Sequence, residues 1–138
     1  MRVLITGGCG YVGSKLVLSL ISKKIFVKVV DLMWFDNTLY PYKGKYLKLV
    51  KKDYREINSR DLKNIDFVIH LANIANDPAV ELNPNLSWEV NVLAGQQLID
   101  RAQRNGISQF IFASSGSVYG LKEEPNVTED LELVPISV

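Results

Sequence analysis

A chain of 138 residues, 47% hydrophobic and 22% charged, is sized for one domain that buries roughly two-thirds of its unfolded surface, and its composition excludes a disordered polymer. The net charge of +1 comes from well-mixed signs, and Tyr46, Leu47, Leu49 and Val50 interrupt the densest basic run, Lys43 to Lys52, which argues against a nucleic-acid partner. One cysteine makes no internal disulfide, no apolar run nears the ~20 residues of a membrane span, and no leader precedes the first strand, so a cytoplasmic protein without a membrane partner is expected.

Val3 to Thr6 reads as a strand apolar enough for burial on both faces. It runs into Gly7-Gly8-Cys9-Gly10-Tyr11-Val12-Gly13. A buried strand that ends in closely spaced glycines and restarts as a helix is suited to holding a diphosphate. Gly8 or Gly10 lets the backbone turn and approach the phosphates, Gly13 lets the helix lie close on the strand, and the helix start supplies unpaired N–H groups. Val12, Leu16, Leu20 and Ile21 then recur at helical spacing from Tyr11 to Lys23, with Lys23-Lys24 at the negative helix end. Val27 to Asp31 is a second strand. Its terminal carboxylate, about 18 residues past Gly13, falls where a dinucleotide site needs an acceptor for the ribose hydroxyls. Such a carboxylate repels a 2′-phosphate, so the reading is NAD in preference to NADP. Cys9 reads as a small loop residue, with a thiol made reactive by the helix dipole as the alternative.

Met33 to Lys45, with Pro41 and Gly44, shows no sustained period and reads as an irregular connection. Tyr46 to Lys51 is a third, alternating strand, and Ser59 to Leu62 a short helical turn. Asp66 to Leu71 is a fourth buried strand, followed by a polar loop through Asn83. With Asn83 as N-cap and Pro84 at the first helical position, a long helix runs to the Asn105-Gly106 stop. Its inner side carries Leu86, Val90, Leu93, Leu98 and Ile99. Phe110 to Ala113 is a fifth strand that empties into Ser114-Ser115-Gly116-Ser117, and Leu121 to Val138 reads as loop.

Strands alternating with helices predict an α/β, doubly wound parallel sheet of about five strands with right-handed crossovers. Ligands in such sheets bind beyond the carboxyl ends of the strands. The glycine loop, Asp31, His70 to Asn73 and Ser114-Ser115 all fall there and are expected to share one crevice. His70 is the only histidine; it reads as a satisfied strand-end residue, and no metal site is expected.

Together these residues resemble the extended short-chain dehydrogenases/reductases, the NAD-dependent epimerase/dehydratase family that acts on nucleotide sugars. The resemblance covers the whole chain. It rests on Thr6 to Gly13, Asp31, Asp53-Tyr54-Arg55, His70-Leu71-Ala72, Asn91-Val92 and Ser114 to Gly120. It implies a Rossmann-like fold in which Gly7, Gly8, Gly10 and Gly13 cradle the pyrophosphate with N–H groups from about Tyr11 and Val12. It places Asp53 and Tyr54 beside the adenine, and Leu71, Ala72 and Asn73, mostly through backbone, along the pyrophosphate and nicotinamide ribose. Ser114 joins the cofactor contacts. Ser115 matches the catalytic serine or threonine that hydrogen-bonds the reacting sugar oxygen, and Asn91 the asparagine that supports the catalytic lysine through water.

The family's Tyr-x-x-x-Lys pair follows a Pro-x-Ser-x stretch, which Pro135-Ile136-Ser137-Val138 matches. The tyrosine is then expected just past Val138, so the resemblance implies a partial NAD-binding domain, residues 1–138, without the catalytic helix or substrate domain. Such a piece should be inactive alone, and its fifth strand should be an open edge prone to self-association. The family's dimers form through the long helix and the one after it, so a homodimer of the whole enzyme is possible. Dehydratases of the family carry Asp-Glu after the catalytic threonine; Gly116-Ser117 stand here, which favours an epimerase or simple oxidoreductase over a 4,6-dehydratase. A dinucleotide-sensing module without catalysis and a flavodoxin-like nucleotide domain are the competing readings.

Overall fold

Valine, leucine and isoleucine at successive positions suit a strand covered on both faces, and the structure places such strands at the centre of a sheet. It is a computed structural model and describes residues 1–35, 38–75 and 77–135. The strands β1 (Arg2–Thr6), β2 (Phe26–Asp31), β3 (Leu47–Lys51), β4 (Phe67–His70) and β5 (Gln109–Phe112) form one sheet in the order β3-β2-β1-β4-β5. All four pairings are parallel. The order reverses at β1, between the crossover to β2 and the crossover to β4, which gives the doubly wound, Rossmann-like arrangement.

Alternation along β1 divides the core. Val3 and Ile5 face one side with Val17, Val27, Val29 and Leu47. Leu4 faces the other with Val30, Val68, Leu62, Leu98 and Ala102. The first side is covered by α1 (Tyr11–Ser22). The second is covered by the short α2 (Ser59–Leu62) and by α5 (Ala94–Arg104). Asn58 opens α2 with a capping box to Asp61, and Gly106, at φ +72°, takes the left-handed position that ends α5. Lys28, Lys52 and Asp61 form a partly buried cluster in which Asp61 lies 2.8 Å from Lys52 and 3.5 Å from Lys28. No helix among the described residues is long and apolar enough to cross a membrane.

Three expectations need correction. The loop after β4 is not irregular through Asn83, because Asp77–Leu82 forms a helix, α3. Six residues are too few to display a helical period, although the Asp77-Pro78 pair is a helix-opening signal. The long helix is also not one α-helix. It consists of α4 (Pro84–Trp88), a π-helical segment (Glu89–Leu93) and α5. The Asn83 side chain caps α4 by accepting from Leu86 N at 3.0 Å, as expected. The wide turn shifts the helical phase, so Leu93 is 49% exposed while Leu98 is fully buried. The third correction concerns Met33 to Lys45, which contains a 3-10 turn at Tyr40–Tyr42. Residues 136–138, which carry most of the Pro-x-Ser-x match, lie outside the described residues.

Candidate functional site

The turn from β1 into α1 is possible only with glycine at two places. Gly7 has φ +71°, and a Cβ there would lie 2.6 Å from the backbone nitrogen of Ala72 on the neighbouring strand exit. A Cβ on Gly13 would lie 2.3 Å from the Gly7 carbonyl oxygen, so only hydrogen allows α1 to start against the end of β1. The loop is further tied to the sheet, since Gly7 N donates to Val30 O at 3.0 Å. No side chain caps α1 and its first turn holds no acidic residue. Its leading N–H groups and the positive end of its dipole are left to an anion or to water.

Asp31, at the end of β2, closes this loop from the side. One carboxylate oxygen accepts from Cys9 N at 2.9 Å, the other from Met33 N at 2.7 Å. The carboxylate is thereby oriented before any ligand arrives. Beside it the Cys9 thiol is pushed up to about 12, first by burial and then by the Asp31 charge. That overturns the reactive-thiol alternative, because the nucleophilic form is the thiolate.

Across the strand-order switch, Thr6 Oγ1 and His70 Nδ1 share a buried hydrogen bond of 2.6 Å. Burial pushes the His70 pKa down to about 4, and its ring packs among Tyr54, Phe110 and Phe112. His70 is therefore the satisfied strand-end residue its sequence context indicates. Among the described residues no group of three His, Cys, Asp or Glu side chains is placed to hold a metal ion.

The far rim is a linked set of side chains. Asp53 holds Arg55 through the Arg55 backbone N–H at 2.9 Å and its guanidinium at 2.7 Å, and that hydrogen-bonded guanidinium keeps the Asp53 carboxyl below the usual range. Arg55 also reaches Glu89 at 2.8 Å. Tyr54, the residue after Asp53, is held from the core side. Its ring is only 6% exposed and belongs to the core, and its hydroxyl donates to Val90 O in the π-helical segment. Burial, with the Asp53 charge second, pushes that phenol up to about 12. Asn91, in the same segment, accepts from Ile74 N at 2.8 Å and donates to Ile74 O at 3.0 Å, fixing the exit of β4.

Between these walls lies a cavity of about 430 Å³. Of the residues singled out in the sequence, Gly7, Gly10, Tyr11, Val12, Gly13, Asp31, Asp53, Tyr54, Leu71, Ala72 and Asn73 line it. Four do not. Gly8 is buried beneath, where a Cβ would lie 2.8 Å from both Val29 methyl carbons; its smallness serves packing on β2. Asn91 acts from behind Ile74. Ser114 and Ser115 are exposed at the end of β5 outside the cavity, with Ser115 Oγ 2.6 Å from Ser117 Oγ. Sequence reasoning passed over Leu32 to Phe35, Lys52, Ile74 and Ala75, and gave Arg55, Leu86 and Val90 no place in the site. Position just after a strand would have flagged Leu32 and Lys52, and Leu86 and Val90 lie on the side of the helix that the spacing reads as inward.

Residues 3–138 match the NAD dependent epimerase/dehydratase family. The chain belongs to that family. UDP-glucose 4-epimerase 3 of Oryza sativa subsp. japonica is 31% identical over 147 residues, covering 95% of this chain and 39% of the rice protein. The dTDP-4-dehydro-6-deoxyglucose reductase of Escherichia coli is 33% identical over 145 residues, covering 98% of this chain and 45% of that enzyme. In structure, the UDP-glucose 4-epimerase of Thermus thermophilus in complex with NAD superposes with a TM-score of 0.86 at 30% identity, over 99% of this chain and 45% of that one. This member of the epimerase/dehydratase family thus spans less than half the length of those relatives.

Proposed function

We propose that this chain binds NAD and forms the cofactor-holding part of an enzyme that alters a nucleotide sugar by transient hydride transfer at a sugar carbon. The observation that carries the reading is the uncapped, acid-free start of α1 behind two glycines that tolerate no side chain. Two phosphates need N–H donors and close backbone approach, and the loop offers both. Asp31, already oriented by Cys9 and Met33 N–H groups, would accept from the adenosine ribose and repel a 2′-phosphate. Asp53 would meet the adenine edge, with Arg55 holding its carboxylate still. Leu71, Ala72 and Asn73 would run along the pyrophosphate and nicotinamide ribose, with Ser114 as a further contact.

When bound, the nicotinamide supplies hydride acceptance and return. The chain's own part is to position. In this reading Ser115 hydrogen-bonds the reacting sugar oxygen. Asn91 supports the family's catalytic lysine through water, using the N–H and lone pair that its bonds to Ile74 leave over. Gly116-Ser117 offers no carboxyl for eliminating water, which favours epimerisation or simple oxidoreduction. The substrate class follows the relatives: a sugar carried on a nucleoside diphosphate. A homodimer of the whole enzyme would draw on the exposed Trp88, Val92 and Leu93, in a cytoplasmic setting that suits a lone thiol.

Calorimetric titration with NAD, NADP and FMN tests this. NAD should bind, NADP should bind at least tenfold more weakly, and FMN should give no heat. A folded chain that takes up no NAD at millimolar concentration overturns the proposal, and preference for FMN replaces it with the flavodoxin-like reading.

A further inference from the structure

Two large aromatic side chains stand beside the cavity without cover. Trp34 and Phe35 line it, yet they are 74% and 78% exposed. Consecutive exposed aromatics at the mouth of a cavity are costly to hydrate and need a partner. Their placement is built. Met33, the residue before them, has φ +56°, a left-handed conformation that a side chain such as methionine rarely adopts. It is held there because its N–H donates to Asp31 at 2.7 Å. The carboxylate that orients the glycine loop therefore also fixes the turn that presents the two rings.

The neighbouring part of the lining is polar and equally fixed. The end of β3 lies beside the end of β2, with Lys51 paired to Asp31 and Lys52 N donating to Asp31 O at 3.0 Å. From that end Lys52, Asp53 and Arg55 line the same cavity, and the Asp53–Arg55 ion pair measures 2.7 Å. A space lined by both exposed aromatic rings and fixed polar groups suits a flat group with a π face and a hydrogen-bonding edge. A nucleobase is such a group, and its sugar and phosphates would then reach Asp31 and the glycine loop.

We infer that Trp34 and Phe35 form an aromatic clamp that stacks on the purine ring of the bound nucleotide. This rests on the proposed binding of NAD. The clamp supplies sequence-tolerant stacking, while Asp53 and its neighbours read the base edge. It also makes the adenosine half the dominant source of affinity, so adenosine diphosphate should bind through it without a nicotinamide.

The test replaces Trp88, the other tryptophan, by phenylalanine so that Trp34 alone reports. Trp88 sits in α4, outside the residues lining the cavity. NAD and adenosine diphosphate should both quench Trp34 fluorescence and saturate at the dissociation constants found by calorimetry. Nicotinamide mononucleotide should leave it unchanged. Trp34→Ala should weaken both adenine ligands by about 5- to 100-fold, the range for loss of one base–aromatic stack, and Trp34→Phe should recover most of that. Both side chains are exposed, so far-ultraviolet circular dichroism should not change. If calorimetry shows NAD binding while Trp34 stays unquenched and Trp34→Ala and Phe35→Ala bind within twofold of the parent, the clamp is wrong and NAD binding stands. Quenching that follows protein concentration and not nucleotide also overturns it. If the parent chain gives neither heat nor quenching with NAD, both readings fail together.

Discussion

At the end of β2, both oxygens of Asp31 are engaged, by N–H groups from a glycine loop and from the turn that follows the strand. At the end of β5, the Ser115 side chain bonds, among the described residues, to Ser117, two residues along an exposed stretch. The strands beneath them differ in the same way. Val27, Val29 and Val30 of β2 are fully buried between neighbours, whereas β5 is an edge whose Ile111 and Phe112 are 46% and 48% exposed. A grip on phosphates is made of backbone geometry, so it must be fixed by long-range packing before the ligand arrives. In the proposed reading the Ser115 hydroxyl only orients a substrate oxygen, so it can sit on a local turn and take its final place from whatever packs over it.

The sharpest way to break this comparison is Gly13→Ala. A methyl group 2.3 Å from the Gly7 carbonyl has nowhere to go, and the loop must open. Urea denaturation should show a loss of about 3 kcal/mol, the upper range for overpacking, and NAD binding should vanish. A variant as stable as its parent would mean the loop is not held by packing.

His70 gives a comparable effect with a pH signature. It is 2% exposed and its folded pKa is about 4, depressed by burial, against about 6.5 in an unfolded chain. Between those values the unfolded chain binds a proton that the folded chain refuses. Stability should therefore fall as pH drops from 6.5 towards 4, by about 3 kcal/mol in all, and no further below that from this group. Subtracting the same profile for His70→Gln isolates the slope from the carboxylates. Superimposable profiles would show that the imidazole takes up its proton without unfolding.

Asp31→Ala should weaken NAD binding by about 1–3 kcal/mol, since a charged acceptor is lost, and should narrow the preference for NAD over NADP. Unchanged affinity by calorimetry would remove the ribose assignment. The smallest effect is expected from Ser115→Ala, which should leave both NAD affinity and the denaturation midpoint within about 0.5 kcal/mol of the parent. A large loss there would show that the end of β5 grips the cofactor as firmly as the end of β2.

Much of this was legible in the sequence because local chemistry demanded it. Gly13 cannot be another residue at a strand-to-helix turn this tight, Asp31 closes a strand of buried valines, Asn83-Pro84 starts α4 and Gly106 stops α5, whereas the left-handed turn expected at Gly8 or Gly10 is made at Gly7. What was missed depends on contacts far along the chain. Tyr54 was singled out beside Asp53, but not its ties to the core, where its ring meets His70 and its hydroxyl donates to the Val90 carbonyl, 36 residues away. Gly8 lies among glycines of the cradle, and only the position of Val29 shows that it serves packing. Nothing in the run Glu89 to Leu93 announces a wide turn; the acceptors it exposes matter only once Tyr54 is in place.

The wide turn at Glu89–Leu93 also acts as a phase setter. Each residue in an ordinary helix advances the facing direction by about 100°, so the extra residue in this segment decides which way everything downstream points. Winding the segment as regular α-helix at unchanged length would swing Leu98 and Ala102 out of the core and carry Arg101 off the carbonyls of Arg55 and Ile57, whereas deleting one residue as it relaxes would keep them in phase. The wide turn is thus how this helix carries one more residue than regular winding would hold while α5 stays seated on the sheet.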